Sequence, residues 1–262
     1  MRYLAAGIQM SCVPGDVKQN LEKARGFIES AGRQAARLIV LPELFNTGYR
    51  LDEDYYRFAE PIPGPTTDLM QEMAGRSGAY IVGSIVEEGP MRGVPFNTSV
   101  IVGPDGVVGK QSKIMPWDKE KLYFATGETA APFATGLGCL GLMICRDIRF
   151  GEIARCLAVK GAEILVVSSA AGGIDYVTQT RALDNSCYLV LANRVGQDKD
   201  TKFCGRSRII DPAGKILAEA DGPDEAVVTA EIDTGLIADV RNKKRYLQEW
   251  RASLFLSEKF WK

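Results

Sequence analysis

The chain has 262 residues, of which 46% are apolar and 25% charged, with 32 Lys and Arg against 33 Asp and Glu. These values are typical of an ordinary globular protein and exclude a disordered or fibrous chain. The balanced charge gives no general attraction to nucleic acid or anionic lipid, and no apolar run reaches the roughly 18 residues of a membrane span.

The first forty residues predict a strand, a helix and a second strand. Residues 3–9 form an apolar strand, and residues 17–35 place apolar side chains every three or four positions after Asp16, a suitable helix N-cap. Residues 37–41 are a β-branched run that stops at Pro42, as an interior strand would. A strand–helix–strand unit of this kind predicts parallel pairing.

Helices and strands continue to alternate along the rest of the chain. The predicted helices are 66–77, 152–159 and 175–185, and the predicted strands are 80–86, 97–102, 107–111, 139–144, 163–167, 188–192, 208–210, 215–217 and 226–232. Two hairpins with similar turns, Pro104-Asp105-Gly106 and Asp211-Pro212-Ala213-Gly214, lie in the two halves. This order predicts an α/β sandwich with mixed sheets, in one domain over residues 1–262.

A polar and aromatic tail follows from residue 234. Its large side chains are Tyr246, Trp250, Phe255, Phe260 and Trp261. Because such a tail is too aromatic to be free in solvent, we predict that residues 235–262 pack at an oligomer interface or on the chain's own core. The basic run at 241–245 is interpreted as a solvated segment and not as a polyanion site.

The cysteine and histidine content narrows the chemistry. Six cysteines without a C-x-x-C pair fit neither a disulfide framework nor a zinc knuckle, and they predict reduced thiols. The N-terminus is interpreted as a first strand without the layout of a signal peptide, and the reduced thiols lead us to expect a cytoplasmic protein. The absence of histidine excludes Ser-His-Asp and Cys-His catalysis and most catalytic zinc sites. Acid–base chemistry must therefore use a perturbed carboxylate, Lys, Cys or Tyr.

Four short segments place a reactive side chain near the end of an apolar run. Glu43 follows a buried strand and should be partly desolvated, which favours its protonated form and suits a general base. Cys145 stands between a strand and a helix, where backbone N–H groups lower a thiol pKa and can stabilise an oxyanion. Lys113 precedes an apolar, aromatic stretch, and Glu120 lies seven residues later. Taken singly, Glu43 could be a helix cap or an ion-pair partner, and Lys113 and Glu120 could be surface charges. Free cysteines are usually inert, and Cys145 differs from the other five by its position.

Together these segments resemble signature blocks of the nitrilase superfamily of carbon–nitrogen hydrolases. The three main blocks are residues 41–49, 109–113 and 142–150, and further agreement lies at 97–99, 124–127, 181–185, 193–196 and 205–214. Because the blocks keep their order and separations from residue 5 to about 233, the resemblance is specific.

The resemblance implies a four-layer α-β-β-α sandwich that usually dimerises. It also implies a Glu-Lys-Cys triad, which falls on Glu43, Lys113 and Cys145, with Glu120 as a supporting glutamate. The implied reaction is hydrolysis of the C–N bond of a small linear amide through a cysteine thioester, with release of ammonia or an amine. The implied partners are the small amide and a second copy of the chain, and we expect no metal and no cofactor.

The residues expected to contact substrate leave the substrate class open. Arg146 replaces the tryptophan that follows the cysteine in true nitrilases, which argues against nitriles. Its side chain could bind a substrate carboxylate, pair with a neighbouring acid or face solvent. We also expect Tyr49 in the first block, and Ser169 and Ala170 in a segment of small residues, to line the pocket. Arg149, Arg181 and Asp184 match positions that look structural in the family.

Other functions remain open at this point. An N-carbamoyl amide hydrolase or a nitrilase would use the same triad, and a non-catalytic binding protein could have the same fold. An intact set of Glu43, Lys113 and Cys145 argues against the binding protein, since loss of catalysis would allow at least one of them to change. No basic face or motif supports nucleic-acid binding.

Overall fold

The computed structural model describes residues 1–199 and 201–255 as two mixed β-sheets between layers of helices. The strands are β1 Arg2–Gln9, β2 Ala36–Val40, β3 Tyr80–Glu87, β4 Phe96–Gly103, β5 Gly106–Ser112, β6 Phe133–Thr135, β7 Gly138–Ile144, β8 Ile164–Ser169, β9 Tyr188–Asn193, β10 Val195–Asp198, β11 Thr201–Cys204, β12 Arg208–Ile210, β13 Ile216–Glu219 and β14 Ala226–Asp233. The helices are α1 Val17–Arg33, α2 Pro65–Ser77, α3 Glu120–Tyr123, α4 Gly151–Val159, α5 Val177–Asn185, α6 Thr234–Lys244 and α7 Ala252–Phe255, and the 3₁₀ turns are Tyr55–Phe58 and Cys145–Arg149.

The two six-stranded sheets have the same arrangement of strands. The first has the order β14-β1-β2-β3-β4-β5 and the second has the order β13-β12-β9-β8-β7-β6. In each sheet three parallel strands, β1–β3 or β7–β9, are followed by an antiparallel hairpin on one side and a single antiparallel strand on the other. The strand–helix–strand unit predicted for the first forty residues is thus parallel, as expected.

Helix α1 forms where the sequence predicts it. The Asp16 side chain accepts a hydrogen bond from the Gln19 N–H at 3.0 Å, so it caps the first turn. Ala24 and Ile28 lie on the buried face and pack, together with α2, against the outer face of the first sheet. Helices α4 and α5 cover the outer face of the second sheet in the same way.

The central layer of the core lies between the sheets. Leu38 and Val82 of the first sheet share one buried apolar cluster with Leu142, Val166 and Val190 of the second sheet. Helices therefore lie outside both sheets, and the predicted four-layer α-β-β-α sandwich is confirmed. In the part of the chain that the structure describes, no helix has the length and apolar character needed to cross a membrane.

Several short elements were not predicted. Strands β6, β10 and β11 have three or four residues each, and β10 pairs only with β11 as a separate ribbon. Helix α3 is a single turn. Elements this short have too few side chains to show a hydrophobic period, and tertiary contacts decide their conformation.

The beginning of the C-terminal tail is helix α6, which packs on the chain's own core. Ile237 and Val240 are buried. Arg241 donates hydrogen bonds to the Ala162 carbonyl at 2.6 Å and the Ser186 carbonyl at 3.3 Å, so its interpretation as part of a solvated run was wrong. The sequence did not indicate these hydrogen bonds, because Arg241 stands beside three other basic residues and was interpreted together with them.

The aromatic part of the tail is described only in part. The Tyr246 side chain is exposed, and Trp250 lines a surface cavity beside α4 and α5. The side chain of Phe255, together with Phe260 and Trp261, falls outside the described residues. Packing of the tail at an oligomer interface stays a prediction.

The close approach of the two sheets generates a stability prediction. A Cβ atom on Gly7 of β1 would lie 2.9 Å from the Leu191 carbonyl oxygen of β9. We expect Gly7→Ala to lower the free energy of unfolding by about 1–3 kcal/mol, because the sheets must move apart. Urea denaturation measures this change.

Gly26→Ala is the matched control. Gly26 lies in α1 with open space around it, so the same substitution should raise the free energy of unfolding by about 0.5–1 kcal/mol. Equal stability of the Gly7→Ala variant and the wild type would show that the sheets are not constrained at this point.

Candidate active site

Glu43 lies directly after β2, at the carboxyl end of a parallel strand. Its side chain is fully buried, and its backbone N–H donates to the Ser169 carbonyl of β8 at 3.3 Å. The next residue, Leu44, has φ 50° and donates its N–H to the Ser84 hydroxyl at 3.0 Å. Contacts to both sheets therefore hold Glu43 in place.

Lys113 follows β5 and places its ammonium between two buried carboxylates. Its Nζ donates to Glu43 Oε1 at 2.7 Å and to both carboxylate oxygens of Glu120 at 2.7 Å. Burial alone lowers the pKa of this lysine, but the charges of Glu43 and Glu120 outweigh burial and hold its pKa above the ordinary value. Lys113 is therefore a fixed cation, not a base.

Glu120 begins α3 and lies behind Lys113. Its carboxylate accepts a hydrogen bond from the Trp117 N–H as well as those of the lysine. Burial raises the pKa of Glu120, although the Lys113 charge opposes this shift. From its own segment of the sequence, Glu120 could have been a surface charge. In the structure its side chain is completely buried.

Asn97 is a residue of this cluster to which the sequence assigned no chemistry. Its Nδ2 donates to Glu43 Oε1 at 2.8 Å, and its Oδ1 accepts from the Ser84 hydroxyl at 2.8 Å. Its carbonyl also accepts the Lys113 N–H at 2.8 Å. Asn97 thus orients the carboxylate and anchors the lysine. Its place in a matching sequence block was the one signal that pointed to it.

Cys145 follows β7 and begins a 3₁₀ turn with φ 44°, in the left-handed region. Burial, and next the charge of Glu43, raise the pKa of its thiol to about 12, while Lys113 and a hydrogen bond from the Ala170 N–H oppose the shift. The prediction of a lowered thiol pKa was therefore wrong. Cys145 is followed by the 3₁₀ turn, and helix α4 begins only at Gly151, so the cysteine does not stand at the N-terminus of this helix as predicted.

Asp147 ties the cysteine turn to the lysine segment. Its buried carboxylate accepts the N–H of Ile144 at 3.0 Å on one side, and those of Met115 at 2.8 Å and Ile114 at 3.2 Å on the other. Burial raises the pKa of Asp147 to about 6, against these hydrogen bonds. The sequence offered no signal for this role, because the partners are about thirty residues apart.

A cavity of about 310 Å³ opens at this point. The predicted residues Lys113, Cys145, Tyr49, Arg146, Ser169 and Ala170 all line it. Glu43 and Glu120 lie behind Lys113 and do not line the cavity. Glu43 Oε2 is buried and has no hydrogen-bond partner in residues 1–199 and 201–255. One carboxylate oxygen is thus held by Lys113 and Asn97, and the other is available for a proton.

Tyr49 connects the cavity wall to a second buried ion pair. Its backbone N–H donates to Asp198 Oδ2 at 2.8 Å, and its hydroxyl lies close to the Glu120 carboxylate. Asp198 pairs with Arg194, whose guanidinium lies 4.3 Å from the centre of the Phe203 ring. Burial and the nearby carboxylates raise the pKa of Tyr49, so it remains a neutral phenol.

The arginines near the cavity have different surroundings. Arg181 donates to the carbonyls of Ile148 at 2.8 Å and Arg149 at 2.9 Å, and it supports the turn after Cys145. Arg149 pairs with Asp175. Arg146 is half-buried, with its guanidinium carbon 6.0 Å from the centre of the Phe150 ring. No cluster of three or more Cys, Asp and Glu side chains suited to a metal ion occurs among the described residues.

A sandwich of this kind, with a cysteine beside a buried Glu-Lys-Glu cluster, agrees with the class of hydrolase that the sequence resembles. The sequence profile of the family described as carbon-nitrogen hydrolase matches residues 4–242. The chain belongs to this carbon–nitrogen hydrolase family, within the nitrilase superfamily.

Relatives and a solved structure agree over nearly the whole chain. A protein named nitrilase from Pyrococcus abyssi is 39% identical over 91% of this chain and 92% of its own length. The omega-amidase NIT2 of Homo sapiens is 31% identical over 96% of this chain and 95% of its own. The crystal structure of a carbon–nitrogen hydrolase from Helicobacter pylori G27 superposes with a TM-score of 0.90, at 26% identity and 97% coverage of both chains.

The electrostatics of the cysteine generate a prediction. An ordinary thiol is about half ionised near pH 8.5, whereas Cys145, with a pKa of about 12, should remain protonated at that pH. The Glu43→Gln variant removes the negative charge that opposes ionisation, so its Cys145 thiolate should form at lower pH than in the wild type. Ultraviolet absorbance of the thiolate during a pH titration measures the pKa of Cys145 in the wild type and in the Glu43→Gln variant.

The control is the same titration with Cys145→Ala, made in the wild type and in the Glu43→Gln variant. Its subtraction removes the signal of the other cysteines. A Cys145 thiolate in the wild-type protein at neutral pH would contradict the assignment of a raised pKa.

Proposed function

We propose that the protein hydrolyses the C–N bond of a small amide through a thioester on Cys145. The observation that carries this proposal is that Cys145 and Lys113 line one cavity, while the Lys113 ammonium holds Glu43 at 2.7 Å behind it. The name of the human relative, an omega-amidase, supports an amide as the substrate.

Glu43 is the general base of the proposed reaction. Because the resting thiol has a pKa of about 12, it needs a base to become a nucleophile near neutral pH. Glu43 Oε2 is buried and unpartnered among the described residues, and it takes the thiol proton as sulfur attacks the amide carbon. Lys113 and Asn97 hold the other oxygen and fix the orientation of the carboxylate.

Lys113 and the backbone N–H of Arg146 stabilise the negative charge that develops on the amide oxygen. Lys113 is already charged and already positioned by Glu43 and Glu120, so little reorganisation is needed during the reaction. Loss of one such donor typically costs about 10²–10³ in rate. Lys113→Ala should therefore be severely impaired.

Glu43 then returns its proton to the leaving nitrogen. The C–N bond breaks, ammonia or an amine leaves, and the acyl group remains on sulfur as a thioester. Glu43 next takes a proton from a water molecule as its oxygen attacks the thioester carbon. The C–S bond breaks, the carboxylic acid leaves, and the proton returns to the Cys145 sulfur, which restores the starting state.

We also propose that residues 1–262 form one domain of a cytoplasmic homodimer or larger homo-oligomer. Reduced cysteines support the compartment, because all six are free thiols in the described residues. The sequence resemblance supports the dimer. Light scattering of the purified protein measures its mass in solution.

Ammonia release from a panel of compounds tests the proposed activity. The panel contains small amides, ω-amides of dicarboxylic acids, N-carbamoyl compounds and nitriles, each run beside the Cys145→Ala variant. We expect release from amides that disappears in the variant, because Cys145 is the one cysteine among the described residues that line the cavity. Carbon dioxide formed together with ammonia would instead indicate an N-carbamoyl substrate.

The panel also separates the remaining alternatives. Release from nitriles alone would favour the activity that the name of the archaeal relative states. Normal turnover by Cys145→Ala would refute the cysteine mechanism. No release from any compound would favour a non-catalytic binding protein with this fold.

Asp147 is predicted to position the nucleophile relative to Lys113. Asp147→Ala leaves three N–H groups without their acceptor, so the two segments lose their connection. We expect kcat on the best amide of the panel to fall about 10- to 100-fold, since a small displacement of reacting groups is costly. The free energy of unfolding should fall by about 1–3 kcal/mol.

Asp211→Ala is the matched control for stability. Asp211 is also buried, and it accepts the N–H of Ala213 at 2.8 Å and of Lys215 at 2.9 Å in a hairpin turn outside the cavity. This variant should lose comparable stability and keep its kcat. A similar loss of kcat in both variants would mean that Asp147 acts only through general stability.

A further inference from the structure

The chain leaves the second sheet beside the sulfur of Cys145. Strand β8 ends at Ser169, and the next two residues, Ala170 and Ala171, form part of the wall of the cavity that Cys145 also lines. Burial raises the pKa of the Cys145 thiol, and the Ala170 N–H, which lies close to the sulfur, opposes this shift. Because this segment has left the ladder of the sheet, its backbone polar groups need other partners to hold them in place.

The side-chain amide of Asn193, at the end of β9, supplies these partners. Its Oδ1 accepts the Ala171 N–H at 2.8 Å, and its Nδ2 donates to the carbonyls of Ala171 at 3.1 Å and Gly205 at 2.7 Å. Asn193 is fully buried and lies opposite Ser169 in the register of β8 and β9. The amide thus pairs with both polar groups of one backbone residue, as a neighbouring strand would. Ala170 is therefore held on both sides, by the sheet at Ser169 and by Asn193 at Ala171.

We propose that Asn193 is a positioning residue, which keeps the Ala170 N–H directed at the Cys145 sulfur while negative charge develops there. This inference rests on the proposed reaction, in which the sulfur loses its proton to Glu43 and later leaves the acyl carbon. A backbone N–H that is already oriented stabilises such charge with little reorganisation. The titratable and charged side chains around the sulfur, which keep their charges when Asn193 is changed, are Glu43, Lys113, Glu120, Tyr49 and Arg146.

The reactivity of the thiol tests this role without any turnover. Methyl methanethiosulfonate is a small neutral reagent that a thiolate attacks with loss of methanesulfinate, so its rate at a fixed pH depends on the thiolate fraction. We expect the rate at Cys145 to fall about 3- to 10-fold in Asn193→Ala, because the thiolate fraction falls more than the intrinsic nucleophilicity rises. Mass spectrometry of the peptide that contains Cys145 separates this rate from those of the other cysteines. An unchanged rate overturns the inference.

Asn20→Ala is the matched control for the loss of a buried amide. Asn20 is also fully buried, its Oδ1 accepts the Val13 N–H at 2.7 Å, and its Nδ2 donates to the carbonyls of Val13 at 2.8 Å and Asn46 at 3.0 Å. Neither Val13 nor Asn46 lines the cavity. This variant should lose comparable stability in urea denaturation and keep the rate at Cys145. An equal fall of the rate in both variants would assign the effect to general stability and overturn the inference.

A second background shows whether Asn193 acts through the Ala170 N–H. Proline has no N–H, so Ala170→Pro removes the donor and keeps an apolar side chain. We expect Asn193→Ala to lower the rate at Cys145 much less in this background than in the wild type, because two changes that remove the same interaction are not additive. An equally large fall in both backgrounds would overturn the assignment to this N–H.

Steady-state kinetics on the best amide of the panel separate positioning from substrate binding. Because the Ala170 N–H acts on charge that develops during the reaction, kcat of Asn193→Ala should fall about 10-fold while KM changes little. A rise in KM with an unchanged kcat contradicts the proposed role. If the wild type hydrolyses no compound of the panel, the proposed hydrolysis fails, whereas the reaction of the thiol still tests Asn193.

Discussion

The site depends on one buried ion cluster, the Lys113 ammonium between the carboxylates of Glu43 and Glu120. Three charges in a dry interior are costly unless each is paired and hydrogen-bonded, and removal of one partner leaves the others uncompensated. Asn97 adds a hydrogen bond to Glu43 Oε1, and the Trp117 N–H adds one to Glu120. The cluster therefore keeps Lys113 charged and Glu43 oriented before any substrate arrives. These are the two conditions that the proposed mechanism, which uses no histidine, requires.

The arrangement of strands explains why these groups meet. Glu43 follows the parallel strand β2 of the first sheet, and Cys145 follows the parallel strand β7 of the second, so each sheet contributes one reactive group at its carboxyl edge. The hydrogen bond from the Glu43 N–H to the Ser169 carbonyl joins the two edges. The separation between the proposed base and the proposed nucleophile is consequently set by sheet-to-sheet packing, which includes the close contact at Gly7.

The sequence predicted the parts of this structure that depend on local pattern. Asp16 as a helix cap, the parallel unit in the first forty residues and reactive residues at strand ends are all visible in short windows. The roles of Asn97, Asp147 and Arg241 depend on hydrogen-bond partners that are far away in the chain. No short stretch of sequence therefore contains both partners. The raised thiol pKa was missed for a related reason, since burial and the Glu43 charge exist only after folding.

The protonated state of Cys145 also affects how the resting protein meets oxidants. Peroxide attacks a cysteine thiolate and converts it to sulfenic acid and then to irreversibly oxidised forms. A thiol with a pKa of about 12 presents almost no thiolate at cellular pH, although it lines an open cavity. In the proposed reaction, its sulfur becomes a nucleophile only when a substrate carbon lies beside it and Glu43 accepts its proton. We therefore expect the proposed nucleophile to resist oxidative inactivation before substrate binds, because burial and the Glu43 charge keep its thiol protonated.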